Sequence, residues 1–156
     1  MLKINDKLPE FEILTDKGDF KTCNHQGKNI VVFFFPRADT SGCTAESIAF
    51  TNLQKSFDKL NCVVIGISKD NPKKQGKFRD KYNLSCELGA DFENNICEKF
   101  GVWIEKSMYG KKYMGIQRAT FLSNTNGVIT NVWEKVKVPG HAENVLEELK
   151  KIYISS

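Results

Sequence analysis

Residues 29–46 decide the fold, and they read NIVVFFFPRADTSGCTAE. Six consecutive apolar side chains, residues 30–35, are followed by Pro36, a pattern typical of a central strand buried on both faces. The run is far shorter than the roughly 20 apolar residues of a membrane-spanning helix. Apolar residues then recur at helical spacing from Thr44 to Leu60, which predicts a helix. We therefore expect a strand–turn–helix unit of an α/β protein.

The elements on either side continue this alternation of strands and helices. Residues 62–68 predict a second buried strand, and the Asn-Pro pair that opens residues 71–82 supplies an N-cap and a first-turn proline for a helix. Nearer the N-terminus, residues 10–14 and 19–22 flank a short turn and predict a hairpin. The first half of the chain is thus a hairpin followed by β-α-β-α.

The second half contains shorter elements. Residues 86–88 predict a short strand, residues 97–100 predict the end of a helix, and residues 105–117 show no clear period. Asn126-Gly127 lies between two apolar runs and is a strong signal for an antiparallel hairpin. A last helix is predicted after Gly140, with residues 145, 146, 149, 152 and 153 on its apolar face.

This order of elements is that of a thioredoxin-like α/β fold. It predicts a central mixed β-sheet flanked by helices and extended by the N-terminal hairpin. A chain of 156 residues can bury a full hydrophobic core without disulfide or metal staples, so we expect residues 1–156 to form a single domain. Because fold alone does not fix function, the function must be argued from particular residues.

Composition excludes several classes of function. The 23 Lys and Arg residues exceed the 19 Asp and Glu residues by only four, and no nucleic-acid motif accompanies them. Lys73, Lys74, Lys77, Arg79 and Lys81 are interpreted as a solvated helix face, one available to steer an acidic reductase. We expect no nucleic-acid or membrane partner and, since the first residues lack the apolar core of a secretory signal, a cytoplasmic location.

The five cysteines of the chain cannot all be paired with one another, so at least one is free. No two are separated by only two residues, which excludes a CxxC redox pair and a CxxC zinc site. Cys62, in a predicted strand, is interpreted as packed, and Cys23, in a polar stretch, as exposed. His25 and His141 have no partner at metal-ligand spacing and are interpreted as surface residues.

Cys43 is the cysteine best placed for chemistry. It lies in the first turn of the predicted helix, where unpaired backbone N–H groups and the helix dipole favour a thiolate. Helical spacing puts Glu46 on the same side one turn later. A carboxylate so close disfavours a thiolate unless a cation lies between them. Arg118, at the start of a predicted strand, is our first choice for that cation.

At these positions the chain resembles the peroxiredoxins. Pro36-x-x-x-Thr40-x-x-Cys43 matches their active-site motif, and the surrounding FFFP and TSGCTxE resemble the bacterioferritin comigratory protein, or PrxQ, branch. The resemblance covers nearly the whole chain. It includes LPEF near the N-terminus, GISKD after the second strand, FGVW at residues 100–103 and RATFL at residues 118–122.

The resemblance implies a peroxidase that reduces hydrogen peroxide and organic hydroperoxides at Cys43 through a sulfenic acid, without metal, haem or flavin. Thr40 is then expected to hydrogen-bond the peroxide or the thiolate, and Arg118 to stabilise both. Pro36 is expected to shield the pocket from water, and Glu46 to hold Arg118 in position. Thioredoxin or another thiol is the implied reductant, and the implied oligomeric state is a monomer or a weak homodimer.

The recycling step is the point at which the chain departs from its relatives. Many PrxQ proteins carry a resolving cysteine five residues after the peroxidatic one, where this chain has Ile48. The helix predicted over residues 71–82 contains no cysteine either. Our hypothesis is a one-cysteine cycle in which an external thiol attacks the oxidised Cys43. A two-cysteine cycle through Cys86 or Cys97 remains the alternative.

Other interpretations of the same residues lead to other functions. Within enzymes the alternative is a thiol-dependent reductase of disulfides, although Thr40 occupies the first cysteine position of a CxxC turn. Outside enzymes it is a redox-sensing or chaperone module in which oxidised Cys43 signals. Thr40 also suits a simple helix N-cap, and Arg118 alone suits a surface strand. Trp103 and Tyr109 are candidates for lining the access path of the peroxide.

Overall fold

The computed structural model describes the backbone of residues 1–155 and the side chains of residues 1–153. Nine strands form two sheets. Seven are hydrogen-bonded in the order β2-β1-β5-β4-β3-β8-β9, and β6 and β7 pair separately. The strands are β1 (Glu12–Thr15), β2 (Gly18–Lys21), β3 (Asn29–Phe34), β4 (Cys62–Ser68), β5 (Glu87–Ala90), β6 (Trp103–Met108), β7 (Lys111–Ile116), β8 (Ala119–Ser123) and β9 (Ile129–Trp133). This is the expected thioredoxin-like sheet with its N-terminal hairpin.

In the part of the chain that the structure describes, five α-helices and one short 3-10 helix (Thr22–His25) accompany these strands. The α-helices are α1 (Ser41–Asn52), α2 (Gln54–Lys59), α3 (Pro72–Tyr82), α4 (Ile96–Phe100) and α5 (His141–Ser155). None of the described helices is long and apolar enough to cross a lipid bilayer.

β3 is the centre of the sheet because all six of its residues are buried. It pairs in parallel with β4 and antiparallel with β8, so both of its edges are satisfied. Its alternate side chains enter two different cores, Val31 and Phe33 on one face and Val32 and Phe34 on the other. The first core is shared with α1, α2, α3 and α5, and the second with α4.

The helix predicted from Thr44 to Leu60 is interrupted. α1 ends before Leu53, whose backbone N–H bonds to the carbonyl of Phe50, and α2 begins one residue later. In a continuous helix seven residues advance about 10 Å. The break instead brings the rings of Phe50 and Phe57 to 5.9 Å, so that both enter the same core.

The segment without a clear period, residues 105–117, belongs to the β6–β7 hairpin. Its turn uses Tyr109 and Gly110, both with positive φ, in place of the usual Asn-Gly. Most of its side chains are exposed, including Met108, Tyr109 and Met114. A strand pair exposed on both faces has no alternation of apolar and polar residues, which is why the sequence pattern did not predict it.

Several assignments of surface and core were wrong. His141 is buried because α5 packs against α1 at this point, and its Nε2 lies 2.7 Å from Thr120 Oγ1. His25 is half-buried and stacks on Phe20. Tyr153, expected on the apolar face of α5, is 49% exposed.

Arg79 is also buried, although the charge pattern assigned it to a solvated helix face. It donates through Nε and Nη2 to the two carboxylate oxygens of Asp16, at 2.6 and 3.1 Å, and through Nη1 to the carbonyl of Leu84. Because Asp16 lies in the turn between β1 and β2, this ion pair fastens the N-terminal hairpin to α3.

We predict that Asp16→Asn lowers the free energy of unfolding by about 2 to 3 kcal/mol, because it leaves a largely buried guanidinium without its carboxylate. Urea denaturation monitored by circular dichroism measures this. Asp19→Asn, in the same hairpin at an exposed position, is the matched control and should change stability by less than about 0.5 kcal/mol. Equal losses in the two variants would contradict the structural role of the pair.

Candidate active site

Cys43 lies in the first turn of α1, just beyond the carboxyl end of β3. The strand continues into the connecting loop through a hydrogen bond from Phe35 N to Ile67 O. Thr40 is the N-cap of α1, and its carbonyl accepts from Thr44 N at 2.8 Å. Cys43 has no exposed surface, so its sulfur is enclosed where the first turn of α1 meets the sheet.

Arg118 contacts Cys43 directly, as the sequence predicted. Its Nη2 donates to Cys43 Sγ at 3.1 Å, and its Nη1 donates to Glu46 Oε1 at 2.6 Å. The pairing of Phe34 with Ala119 fixes this contact, because it places the residue before β8 beside the end of β3. One guanidinium thus bridges two acidic side chains that are one turn apart on α1.

Gly42 makes room for this contact, a role that the sequence pattern did not indicate. A Cβ at this position would lie 3.3 Å from Arg118 Nη2, tighter than ordinary van der Waals contact. A residue with a side chain therefore forces the guanidinium to shift. The only sequence signal was the position of the glycine directly before the cysteine.

Glu46 is almost completely buried, with 1% of its surface exposed. Burial raises the pKa of Glu46 to about 7, against the opposing effect of the Arg118 charge and its hydrogen bond. The second carboxylate oxygen, Oε2, has no hydrogen-bond partner among the described residues. The position of the carboxyl group is therefore set by Arg118.

The side chains of Thr40 and Pro36 are both exposed. Thr40 is exposed, and its hydroxyl donates to the carbonyl of Arg37 at 2.9 Å, neither to Cys43 nor to the helix backbone. Capping of α1 by the Thr40 side chain is thus absent. Pro36 is exposed at the end of β3. The expected roles of both residues toward the peroxide stay predictions.

Two residues near Arg118 were not found from the sequence. Lys106, in β6, is half-buried, and burial together with the Arg118 charge lowers its pKa against the opposing effect of Cys43. His141 lies on the other side, where burial, followed by the Arg118 charge, lowers its pKa to about 4. Lys106 belongs to the hairpin that was not predicted, and His141 showed no motif.

The other four cysteines are all free. Cys23 is exposed and Cys62 is packed in β4, as expected. Cys86 shares the core of Cys43, is 1% exposed, and burial raises its pKa to about 11. Cys97 lies in the core on the opposite face of the sheet, where burial, reinforced by Asp91, raises its pKa.

Ile48 is half-buried against the same core as Cys43 and fills the position of the absent thiol with an apolar side chain. In the described part of the chain no group of three or more His, Cys, Asp or Glu residues is arranged to hold a metal ion. The groups that the structure brings into contact at this site are the sulfur of Cys43, the carboxyl group of Glu46 and the guanidinium of Arg118.

Comparison with known proteins identifies the family of the chain. Residues 4–132 match the model of the AhpC/TSA family. The chain is 42% identical to a putative peroxiredoxin Bcp of Coxiella burnetii, covering 95% of this chain and 99% of the relative. It is 41% identical to peroxiredoxin Bcp of Bacillus subtilis, covering 96% of each.

Solved structures show the same relationship. A cysteine-to-serine mutant of Xylella fastidiosa PrxQ superposes with a TM-score of 0.90 at 32% identity, over 97% of each chain. The bacterioferritin comigratory protein of Xanthomonas campestris, described with an alkyl peroxide reduction activity, gives a TM-score of 0.88 at 34% identity. That match covers 95% of this chain and 99% of the Xanthomonas chain. The chain therefore belongs to the AhpC/TSA family, as a peroxiredoxin of the Bcp/PrxQ type.

Proposed function

We propose that Cys43 is the peroxidatic cysteine of this thiol peroxidase, and that hydrogen peroxide and alkyl hydroperoxides are its substrates. Membership of the Bcp/PrxQ type makes the chain a peroxidase that takes its electrons from a thiol. The observation that carries the assignment to Cys43 is the 3.1 Å contact of its sulfur with the buried Arg118 guanidinium. The alkyl substrates are supported by the activity described for the Xanthomonas relative.

In the proposed reaction the Cys43 thiolate attacks one oxygen of the peroxide. An S–O bond forms, the O–O bond breaks, and the departing oxygen leaves as water or alcohol once it is protonated. Sulfur loses two electrons to become a sulfenic acid. The Arg118 guanidinium balances the thiolate before attack and the charge on the departing oxygen during it.

Thr40 and Pro36 complete the proposed site on its solvent side. The Thr40 hydroxyl donates a hydrogen bond to the carbonyl oxygen of Arg37, which leaves its own oxygen lone pairs to accept a hydrogen bond from the peroxide. Pro36 has no backbone N–H and offers an apolar ring beside the loop that precedes Cys43. We propose that the first orients the peroxide and that the second keeps water from the sulfur.

We propose a one-cysteine cycle for regeneration, with thioredoxin or a low-molecular-weight thiol as reductant. Ile48 replaces the resolving cysteine on α1, and Cys97 lies in the core on the opposite face of the sheet from Cys43. Cys86 shares the core of Cys43, but its high pKa keeps it a protonated, poorly nucleophilic thiol. An external thiol therefore attacks the Cys43 sulfenic acid.

The first prediction concerns Arg118. Arg118→Met should reduce the second-order rate constant of the peroxide step by about 10²- to 10³-fold, since it removes the donor to the reacting sulfur. Stopped-flow tryptophan fluorescence after mixing with peroxide measures this step. Arg118→Lys keeps the positive charge but loses the forked guanidinium, so it separates the effect of the charge from the effect of the hydrogen-bond geometry. Circular dichroism of both variants monitors the fold. An unchanged rate constant in Arg118→Met would remove its proposed role.

The second prediction concerns the charge of Glu46. Because its pKa is raised on folding, the native state holds this proton over a pH range in which the unfolded chain has released it. Stability should therefore fall as pH rises from about 4.5 to about 7, by up to about 3 kcal/mol relative to Glu46→Gln. Urea titrations at several pH values measure the difference. Glu134→Gln, at an exposed position, should leave the pH profile of the parent unchanged.

The third prediction concerns the resolving step. Cys86→Ser and Cys97→Ser should retain steady-state peroxide consumption with a thiol reductant within about twofold, whereas Cys43→Ser should have none. Peptide mapping after one equivalent of peroxide should find Cys43 as a sulfenic acid and no intrachain disulfide. A Cys43–Cys86 or Cys43–Cys97 disulfide in most molecules would overturn the one-cysteine cycle. Full turnover in Cys43→Ser would overturn the peroxidatic assignment itself.

A further inference from the structure

A basic groove lies beside the loop that leads into the active site. It is formed between that loop and α3, encloses a cavity of about 370 Å³, and has Phe78 as its buried apolar part. This volume is that of a small-molecule site rather than of a protein interface. Four cationic and two carboxylate side chains line it, Arg37, Lys74, Lys77, Lys81, Asp39 and Asp70, which leaves a net charge of 4 − 2 = +2.

The carboxylates in the groove are already engaged by the protein. Asp39 accepts hydrogen bonds from the Tyr82 hydroxyl and from Lys81, and these bonds hold its pKa below the usual range. Asp70 accepts from Ala38 N at 2.8 Å and from the Ser68 hydroxyl at 2.7 Å. Both carboxylates therefore hydrogen-bond to residues that line or adjoin the groove and help to hold its walls together.

Three of the cations, in contrast, are free to bind a ligand. Within the described residues the side chains of Arg37, Lys74 and Lys77 make no hydrogen bond or ion pair, and all three are exposed. Cations that converge on a cavity without internal partners are suited to bind an anion. A ligand that carries two carboxylates can pair each of them with one of these cations.

The groove and the proposed peroxide site share the loop that precedes α1. The carbonyl of Arg37 accepts the Thr40 hydroxyl, and Ala38 packs against the core cluster that contains Cys43. Asp39 holds a positive φ of 63°, an uncommon conformation for a residue other than glycine, and its side chain is fixed to α3. A ligand in the groove thus contacts the loop that encloses the reacting sulfur.

We propose that this groove binds the carboxylates of a small dicarboxylate thiol, which is the reductant of the oxidised Cys43. The inference rests on the proposed one-cysteine cycle, and it names the class of thiol that completes the cycle. A tripeptide thiol of the glutathione kind, with a carboxylate toward each end and the sulfur between them, has the required chemistry.

The reduction balances with two molecules of this thiol. The first thiol sulfur attacks the Cys43 sulfenic acid, an S–S bond forms, the S–O bond breaks, and the hydroxyl leaves as water with the proton of the thiol. The second thiol attacks the mixed disulfide and releases Cys43 as a thiol. The two small thiols are oxidised by two electrons to one disulfide, and the sulfenic acid is reduced by the same two electrons.

Binding is tested first without any redox chemistry. S-methylglutathione carries both carboxylates but cannot react, and isothermal titration calorimetry against the whole protein should show saturable binding. Its diethyl ester, which lacks both carboxylates, should not bind. The double variant Lys74→Gln/Lys77→Gln should weaken binding at least about fivefold, the effect of losing two charge contacts. Lys55→Gln/Lys73→Gln removes the same charge from exposed positions outside the groove and should bind like the parent.

The rate of reduction is tested second. Protein oxidised with one equivalent of peroxide is mixed with glutathione or with uncharged 2-mercaptoethanol. Lys74→Gln/Lys77→Gln should slow the reduction by glutathione at least about fivefold and leave the rate of reduction by 2-mercaptoethanol unchanged. The peroxide step should be the same in all variants, because neither lysine contacts Cys43, Glu46 or Arg118.

The outcomes separate this inference from the one on which it rests. Absence of saturable binding of S-methylglutathione, or an equal loss of binding in the two double variants, would overturn the proposal that the groove binds the thiol. Slower reduction by thioredoxin in Lys74→Gln/Lys77→Gln, without loss of S-methylglutathione binding, would overturn it in favour of an acidic protein partner. Failure of Cys43 to react with peroxide would contradict the proposed function alone, since the calorimetry needs no reaction.

Discussion

One guanidinium makes the buried site possible. Cys43 and Glu46 lie one turn apart on the inner side of α1, with 0% and 1% of their surfaces exposed. Two acidic groups enclosed so near each other cannot both be charged without a cation, because their repulsion is large where water is excluded. Arg118 donates to both, and the β3–β8 pairing delivers it to that position. The pairing of β3 with β8 therefore fixes both the packing of the sheet and the position of the Arg118 charge.

The features of the fold that the sequence predicts are those with a local cause. β3 is recognisable because a strand buried on both faces is apolar at every position, and the Asn126-Gly127 turn because Gly127 adopts a positive φ. Even the need for a cation beside Glu46 follows from helical spacing. The matching residue, Arg118, was found through the motif resemblance and through that need, since spacing along the chain does not relate it to α1.

What the sequence does not reveal depends on tertiary packing. His141 is polar and isolated in the sequence, yet it is buried because α5 meets α1 there and Thr120 supplies a hydrogen-bond partner. The β6–β7 hairpin has no apolar alternation because most of its side chains are exposed, and it reaches the core at its base, through Trp103 and Ile116. The small space that Gly42 leaves for the guanidinium exists only once β8 is in place. Each of these features depends on residues far apart in the chain, which local patterns do not relate.

The central sheet also separates the buried cysteines into two cores. Alternation along β3 separates two cores, with Cys43, Cys62 and Cys86 in one and Cys97 in the other. Desolvation holds the pKa values of Cys62, Cys86 and Cys97 high, so these thiols stay protonated at neutral pH. Among the buried cysteines only Cys43 has a guanidinium against its sulfur. The same burial that stabilises the fold therefore suppresses reactivity at three thiols, whereas the sulfur of Cys43 is in contact with a guanidinium.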